Sequence, residues 1–382
     1  MTSAESCRVG SAGRVTAPRP LGRRPGLDGI RALAVVLVVG YHAWPGTFRG
    51  GELGVEVFFV LSGFLITWVV LDEFHTGGAI RLGDFYVRRA VRLLPALWVL
   101  LAAYLAAAVI APPVPRPAML RSTVVAAGYG TGWALALGYP VALGLGHLWS
   151  LAVEEQFYLL WPLVLVVVLR RHDTRRLPAV AALGALASVA LRELLWRHGA
   201  PFARVYFGFD TRCSSLLIGC ALGSALAAGW GEELLRRAGT LAGPAAAAAL
   251  LLVWSVVRDV PRLPGASPDA AFALAGLASA VIILWVVASD GSGAARWLDH
   301  PVAVYVGRRS YGIYLWHYTV LVLVRAWWPG GGETATLLAV AAAVAFAHLS
   351  YRWVEQPAQA WRRRRAGSVL ISGAGPPPPV GG

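Results

Sequence analysis

The chain has 382 residues, of which 57% are hydrophobic and only 14% are charged. Soluble domains contain about 25% charged and about 45–50% apolar residues, so this composition argues against a soluble enzyme, a disordered protein and a fibrous protein. The apolar residues fall in blocks of roughly 18 to 22, the length that crosses ~30 Å of hydrocarbon. We therefore predict an all-α fold, a polytopic transmembrane helix bundle.

The net charge is +14, and all 34 basic residues are arginine. A basic chain often binds nucleic acid, but arginine also accumulates in the cytoplasmic loops of membrane proteins. If the chain crosses the membrane ten times and its N-terminus is cytoplasmic, most of the arginines lie on the cytoplasmic side of the membrane. Orientation in the lipid bilayer therefore accounts for the charge, and we expect no nucleic-acid partner. The absence of lysine and asparagine, whose codons are AT-rich, indicates a GC-rich bacterial genome and hence the bacterial cytoplasmic membrane.

About ten membrane spans are predicted, with the N- and C-termini both cytoplasmic. Residues 1–26 form a basic arm that we expect to be disordered, and the membrane domain covers 27–357. Residues 358–382 are first basic and then rich in proline and glycine, so they should form a disordered tail. The stretch 119–139 is interrupted by glycines and should lie on or dip into the outer face. The predicted spans are 27–44, 52–71, 93–111, 148–169, 177–196, 206–229, 239–257, 269–289, 311–328 and 334–353.

The first predicted span contains two ionisable residues, which are costly inside a bilayer and mark functional sites. Arg31 lies near its cytoplasmic end, and His42 lies ~16 Å further along the helix, toward the outer half. Arg31 suits either an anchor at the cytoplasmic surface or a contact to a ligand. His42 needs partners for both ring nitrogens, which makes it a candidate catalytic residue.

The second predicted span carries an ionisable residue within its apolar stretch. Glu56 follows Glu52 by one helical turn and lies deeper in the membrane, where we expect it to approach His42. A structural ion pair fits Glu56 as well as a role in substrate binding does. The following Ser62 and Gly63 are small residues that allow close helix packing.

Three arginines, Arg88, Arg89 and Arg92, stand at the cytoplasmic mouth of the third predicted span. Arg89 and Arg92 share one helical face because they are three residues apart. Guanidinium groups bind phosphate bidentately, so this pair suits a phosphate-bearing ligand. Anchoring to lipid headgroups is the competing interpretation.

Two adjacent carboxylates, Glu154 and Glu155, lie within the outer turns of the fourth predicted span. One of them must pair with a cation, form a hydrogen bond or stay protonated. By its depth in the membrane, Glu154 is expected to meet His42. A carboxylate at that position would orient the imidazole, as in other pairs of a base and its orienting group.

Further polar residues lie in the sixth and ninth predicted spans. Ser310, Tyr314 and His317 are candidate substrate-binding residues, although packing or hydrogen bonding fits His317 better than direct catalysis. Asp210 and Arg212, at the outer start of the sixth span, suit structural roles. The sequence contains no cysteine–histidine cluster at ligand spacing, so we expect no metal.

Taken together, these segments resemble the acyltransferase-3 family of membrane O-acyltransferases. The resemblance covers about residues 26–357 and includes Arg31 and His42 with ten residues between them. A single matching segment would be weak evidence for the family, but five matching segments in the same order as in the family are strong evidence. The matching segments are 27–34, 54–66, 89–92, 149–158 and 351–357.

The resemblance implies transfer of an acyl group, commonly acetyl from acetyl-CoA, to a hydroxyl of a sugar-containing acceptor. Acyl-CoA is then a co-substrate, and no permanently bound cofactor is expected. The resemblance also implies catalysis by His42 and handling of the donor by Arg31, Arg89 and Arg92. Many members carry an extracytoplasmic hydrolase-like domain after the membrane part. We expect a short form without it, of the kind that acylates antibiotics, polysaccharides or lipid-linked sugars.

Two questions of mechanism and class stay open at this point. His42, oriented by Glu154 or Glu155, would act as a base in direct transfer, and an acyl-histidine intermediate is the alternative, since histidine can also act as a nucleophile. A proton-coupled transporter or flippase of a glycoconjugate is the rival to the enzyme, because buried ionisable residues suit proton coupling too. The sequence shows no inverted repeat of the kind found in many transporters, which favours the enzyme.

Overall fold

The computed structural model describes residues 22, 24–110, 115–230, 233, 242–257, 269–289 and 293–372. Within these residues the chain is helical and contains no β-strand. Short 3-10 turns or π-turns continue several of the helices. The helices are α1 (Pro25–Ala43), α2 (Leu53–Gly77), α3 (Leu82–Ile110), α4 (Arg116–Ala127), α5 (Thr131–Ala136), α6 (Trp149–Arg171), α7 (Leu177–Arg197), α8 (Phe202–Phe207), α9 (Phe209–Ala225), α10 (Ala242–Val257), α11 (Asp269–Ser289), α12 (Pro301–Arg308), α13 (Ser310–Trp327), α14 (Gly332–Ser350) and α15 (Gln356–Ser372).

Eight helical stretches in the described residues are long and apolar enough to cross a membrane. The predicted bundle of membrane helices is thereby confirmed, whereas the number of spans and the side of the termini stay predictions. Helix α10, in the predicted span 239–257, is described over 16 residues, and the residues directly before and after it lie outside the described part. Helix α13, in the predicted span 311–328, contains His317 and Arg325 and is not among the eight. The eight stretches are Pro25–Ala43, Leu53–Gly77, Leu82–Ile110, Gly146–Arg171, Thr174–Arg197, Phe202–Trp230, Ala271–Ser289 and Gly332–Arg364.

The stretch 119–139 does not form a single membrane-spanning helix. Its residues belong to the two short helices α4 and α5, of 12 and 6 residues. The chain bends between them at Tyr129, whose φ of +53° is left-handed. A helix of 12 residues is only ~18 Å long, so neither helix crosses a bilayer, which agrees with the expectation from the sequence.

The two terminal segments are described only in part. Residues 1–21 and 23 of the expected arm, 1–26, lie outside the described residues, and α1 already begins at Pro25. At the other end, α15 continues to Ser372, where composition predicts a disordered tail over 358–382. Arginine is a good helix former, and the basic half of that tail is part of the helix. Residues 373–382 lie outside the described part, and the division into arm, membrane domain and tail stays a prediction.

Large apolar side chains are exposed on the outside of the spanning helices. Leu183 and Leu186 of α7 are 66% and 65% exposed, and Val36 of α1 and Leu160 of α6 are also exposed. An apolar surface of this extent is unfavourable in water. It is the expected surface of helices that face lipid, whereas the ionisable residues of the site described below lie inside the bundle.

Helices α2 and α9 cross in close contact at two glycines. A Cβ atom on Gly63 would lie 1.8 Å from the carbonyl oxygen of Leu216, and one on Gly219 would lie 2.0 Å from that of Val60. Small residues allow helix backbones in a membrane to approach this closely. The crossing brings the polar side chains of α9 within hydrogen-bonding distance of those on α2.

We expect the substitution Gly63→Ala to lower the free energy of unfolding by about 1–3 kcal/mol, because the added methyl group meets backbone atoms that cannot rotate away. Thermal unfolding of the purified protein in detergent measures this loss. Gly77→Ala, on the same helix, is the matched control because a Cβ atom there has no neighbour within 4 Å. Equal stability of the Gly63→Ala and Gly77→Ala proteins would contradict the close crossing.

Candidate active site

A narrow cavity of about 80 Å³ lies between α1, α2, α3, α6 and α13. We call it the arginine cavity because three guanidinium groups line it, together with two carboxylates. The three guanidinium groups outnumber the two carboxylates, so the lining carries a net positive charge that favours a bound anion. The predicted site residues on its wall are Arg31, Arg89, Arg92, Glu154, Glu155, Ser310 and Tyr314.

The arginine cavity adjoins a wider chamber of about 270 Å³, which we call the entry chamber. Both are lined by Arg31, Arg89 and Arg92, so the guanidinium groups stand where the two spaces meet. Arg88 lines the entry chamber alone and forms an ion pair with Glu73 at 2.6 Å. All four predicted arginines therefore line two neighbouring spaces.

Glu154 organises one wall of the arginine cavity. Its carboxylate accepts hydrogen bonds from the hydroxyl groups of Ser62 on α2 and Tyr158 on α6. The ring of Tyr158 lies against Arg89, whose guanidinium carbon is 3.6 Å from the ring centroid. A cation over an aromatic face is attracted by the quadrupole of the ring. Glu154 therefore positions Arg89 through Tyr158.

Glu155 leaves a hydrogen-bond acceptor unused in the same cavity. Its Oε1 atom is buried and has no hydrogen-bond partner among the described residues. Arg89 and Arg92 are its positively charged neighbours. Because buried polar atoms are normally paired, this oxygen is available to a hydroxyl or amide group of a ligand.

A second polar group, the histidine cluster, consists of His42, His147 and His317. The Nδ1 atom of His42 lies 2.9 Å from the carbonyl oxygen of Val38 and 3.3 Å from Nε2 of His317. The rings of His147 and His317 are 5.3 Å apart between centroids. In the described part of the chain, no three histidine, cysteine or acidic side chains are arranged to hold a metal ion.

The tautomers of His42 and His317 follow from their hydrogen bonds to backbone carbonyl oxygens. A ring nitrogen that contacts a carbonyl oxygen must carry a hydrogen. His42 is therefore protonated on Nδ1. His317 donates from Nδ1 to the carbonyl oxygen of Tyr314 at 2.7 Å, so its Nε2 is free to accept from His42. The Nε2 atom of His42 keeps its lone pair, which is the form that a general base requires.

Tyr314 separates the arginine cavity from the histidine cluster. It lines the cavity, and its ring centroid lies 5.4 Å from that of His317. Its hydroxyl group is 2.5 Å from Ser150 Oγ and donates to the carbonyl oxygen of His147 at 2.9 Å. One aromatic side chain therefore stands between the arginines and the histidines.

A family profile described as an acyltransferase domain, that of the acyltransferase-3 family, matches residues 24–351. The chain belongs to the acyltransferase-3 family. It is 32% identical over 349 residues to the O-acetyltransferase OatA of Staphylococcus aureus strain NCTC 8325, and the match covers 87% of this chain and 57% of that protein. It is 33% identical over 350 residues to a putative O-acetyltransferase of Staphylococcus aureus strain COL, with the same coverage. The chain thus spans 57% of the length of these relatives, and no solved structure matches it.

Family membership and the eight apolar helices together make this acyltransferase-3 protein a multi-pass membrane protein. The resemblance deduced from the sequence motifs is confirmed over nearly the same residues. The structure brings seven of the predicted site residues to the wall of the arginine cavity. Four others, His42, Arg88, Glu56 and His317, do not line it.

In this acyltransferase-3 protein, Glu154 and Glu56 have other partners than the sequence predicts. Both are expected near His42, but the structure places neither in hydrogen-bond contact with it. Glu56 is buried, forms an ion pair with Arg212 and accepts a hydrogen bond from Ser215 at 2.5 Å. Glu56 thus forms the structural ion pair that the sequence also suggested, and its role in substrate binding stays a prediction. Position along a helix sets the depth of a residue, but the direction of its side chain depends on helix rotation.

Two expectations for neighbouring residues agree with the contacts. His317 hydrogen-bonds to His42, which is the role that the sequence favours for it over direct catalysis. Asp210 accepts two hydrogen bonds from Arg204, at 2.9 and 2.5 Å, and so has the predicted structural role. Arg212 has the same role through Glu56.

Ser62, Tyr158 and His147 belong to the site of this acyltransferase-3 protein, although the sequence suggested only helix packing for Ser62 and no role for the other two. Tyr158 follows Glu154 by one helical turn, and this spacing is a signal that both side chains share a face. Ser62 and His147 carry no comparable signal, because their partners come from other helices.

Proposed function

We propose that this chain is an O-acyltransferase of the bacterial cytoplasmic membrane that moves an acyl group from acyl-CoA to a hydroxyl of a sugar-containing acceptor. The observation that carries the proposal is the set of guanidinium groups where the arginine cavity meets the entry chamber. The names of the relatives, which are O-acetyltransferases, support the acetyl group as the one transferred. A glycosylated antibiotic, a polysaccharide or a lipid-linked sugar would each supply a suitable hydroxyl.

Acyl-CoA suits the two neighbouring spaces in one orientation. Its phosphates would lie in the entry chamber, because Arg88, Arg89 and Arg92 line it and guanidinium groups form bidentate hydrogen bonds to phosphate. The thioester end would then enter the arginine cavity. A volume of about 80 Å³ suits a short acyl group such as acetyl better than a long chain. The donor is used and released, so the reaction requires no permanently bound cofactor.

His42 is the proposed general base. Its Nε2 atom takes the proton of the acceptor hydroxyl, and the oxygen forms a bond to the thioester carbonyl carbon. The carbon–sulfur bond then breaks, and the CoA thiolate takes up the proton from His42. An acyl-histidine intermediate uses the same nitrogen, with His42 attacking the thioester first. In either route the acyl group has to pass the ring of Tyr314 to reach His42.

The groups that orient His42 in this proposal are not the glutamates predicted from the sequence. The Val38 carbonyl oxygen and His317 hold the imidazole through Nδ1, in place of Glu154 or Glu155. Both glutamates keep a role in the reaction, because they line the cavity that would hold the thioester. Glu154 positions Arg89, and Glu155 offers a free acceptor.

Transfer of radiolabel tests the proposed function. The purified protein in detergent is incubated with [14C]acetyl-CoA and a panel of acceptors: the methyl glycosides of glucose, N-acetylglucosamine, mannose and rhamnose, and a glycosylated macrolide. We expect base-labile label on at least one acceptor. Failure to bind or cleave acetyl-CoA would contradict the proposal, and passage of an unmodified glycoconjugate across vesicles would favour the transporter instead.

The substitution Arg92→Gln is expected to raise the KM for acetyl-CoA by roughly 10- to 100-fold, since a hydrogen bond to a charged group contributes about 1.5–3 kcal/mol. Steady-state kinetics with [14C]acetyl-CoA measures this change. Arg197→Gln is the control, because Arg197 is an exposed arginine on α7 that forms an ion pair with Glu193. An unchanged KM for Arg92→Gln would place the phosphates elsewhere.

A further inference from the structure

A third pocket, of about 550 Å³, opens at the end of the bundle opposite to Arg31. We call it the distal pocket; it is formed by the end of α1 and by the connection between α13 and α14. Arg31 and Ala43 are ~18 Å apart along α1, and Ala43 lines the pocket. The distal pocket therefore lies on the other side of His42 from the arginine cavity. Its volume falls within the ~300–1,000 Å³ that is usual for sites of small molecules.

The wall of the distal pocket combines two indole rings with a carboxylate. Trp44 and Trp328 line it, and Trp328 is 47% exposed. The Nε1 atom of Trp44 donates to Oε1 of Glu333 at 2.6 Å, which leaves Oε2 as an acceptor. The apolar C–H face of a sugar ring packs on an indole, and its hydroxyl groups donate to a carboxylate.

Arg325 connects the distal pocket to His42, the candidate catalytic residue. Arg325 lines the pocket and donates to the carbonyl oxygens of His42 at 3.3 Å and Ala43 at 2.7 Å. Tyr318, two helical turns before Arg325 on α13, contacts the ring of His42 with 4.8 Å between centroids. A ligand in the distal pocket would thus lie close to His42, the residue proposed to remove the proton from the acceptor hydroxyl group.

The charges of the pocket favour a neutral ligand. Arg325 is turned toward carbonyl oxygens and the hydroxyl of Thr336, whereas the carboxylate of Glu333 is hydrogen-bonded by a neutral indole. An anionic lipid headgroup would meet this carboxylate and be repelled by it. A sugar ring, which is uncharged and carries several hydroxyl groups, suits both the indoles and the carboxylate.

We propose that the distal pocket binds the sugar ring of the acyl acceptor, with the indole of Trp328 against the ring and Glu333 accepting from its hydroxyl groups. The acceptor then reaches His42 from the end of the bundle opposite to the acyl donor. This assignment rests on the acyl transfer proposed above. It adds the side from which the acceptor enters and the residues that recognise it.

Steady-state kinetics with the acceptor panel named above, at saturating [14C]acetyl-CoA, tests this proposal. For the acceptor that wild type uses, we expect Trp328→Ala and Glu333→Gln to raise the KM by about 10-fold, while the KM for acetyl-CoA stays within about 2-fold. Trp328→Phe keeps an aromatic face and should recover most of the affinity. Trp353→Ala, which removes an indole that is 68% exposed and does not line the pocket, is the control, and thermal unfolding verifies that each variant is folded.

Several outcomes would overturn the assignment. If the folded Trp328→Ala and Glu333→Gln proteins have the KM of wild type for the acceptor, the distal pocket does not bind the acceptor. A fall in kcat alone would lead to the same conclusion, because it would indicate an effect on the chemistry and not on recognition. A wild-type protein that binds acetyl-CoA but uses no member of the panel would contradict a sugar-binding pocket while leaving the donor site standing. If wild type does not bind acetyl-CoA, the proposed function itself fails, and this assignment fails with it.

Discussion

Replacement of His42 by alanine is expected to lower the rate of acetyl transfer by between about 100-fold and 10,000-fold, the usual contribution of a general base. Acetyl-CoA should still bind with the affinity of wild type, because His42 does not line the arginine cavity or the entry chamber. The loss should therefore appear in kcat, with little change in the KM for acetyl-CoA. Transfer of label from [14C]acetyl-CoA and equilibrium binding of the donor measure the two quantities separately.

His75 provides a matched control for His42. It lies in the last turn of α2, as His42 lies in the last turn of α1. Its Nδ1 atom contacts the carbonyl oxygen of Leu71, four residues earlier, at 2.7 Å, which is the same local bond that His42 makes to Val38. His75→Ala therefore removes an equivalent hydrogen bond away from the site and should leave transfer unchanged. A His42→Ala protein with the transfer rate of His75→Ala would show that His42 takes no part in the chemistry.

The buried ion pair between Glu56 and Arg212 is expected to dominate the effect of single substitutions on stability. Both side chains are 2% exposed, and Arg212 is surrounded by aromatic rings, among them Phe272 at 4.6 Å and Tyr206 at 4.8 Å. Removing one partner leaves an unpaired charge in this setting, which costs about 3–5 kcal/mol. We expect Glu56→Leu and Arg212→Met each to lower the free energy of unfolding by this amount. Titration with a denaturing detergent, followed by circular dichroism, measures the change.

Replacing both partners at once tests whether the loss comes from the unpaired charge. The double variant Glu56→Leu/Arg212→Met should recover most of the stability, because a buried ion pair is often no more stable than apolar residues of similar volume. The Arg204–Asp210 pair is the control, since its side chains are 22% and 32% exposed and such pairs contribute about 0–1 kcal/mol. Two results would contradict a dominant role of the buried pair in stability. In the first, the double variant loses the sum of the stabilities that the two single variants lose. In the second, Asp210→Asn loses as much stability as Glu56→Leu.

Most helices of this protein could be located from the sequence, because hydrophobicity over 18 to 25 residues is a local property. Helix α13 differs from the prediction for a local reason as well, because His317 and Arg325 lower its hydrophobicity. The spacing of Arg89 and Arg92 was sufficient to predict that both side chains face the same space, since spacing on a helix determines which side chains share a face. These predictions depend on one helix at a time.

The partners of the buried ionisable residues could not be predicted in this way. Depth along the chain placed both Glu56 and Glu154 beside His42, and only the rotation and packing of the helices decided otherwise. The hydrogen bonds that determine the site join residues far apart: Glu56 to Arg212 over 156 positions and His42 to His317 over 275. No local pattern specifies such pairs.

The sequence by itself determined that this is a membrane protein of the acyltransferase-3 family, because composition, apolar blocks and ordered motifs are all properties of the chain. Only the tertiary structure divided the candidate residues between a cavity lined by arginines and a separate histidine cluster, with Tyr314 between them. It alone brought Trp44 and Trp328 together with Glu333 at the opposite end of the bundle. The physical reason is that a side chain's chemistry is fixed by its residue type, whereas its neighbours are fixed by how distant helices pack.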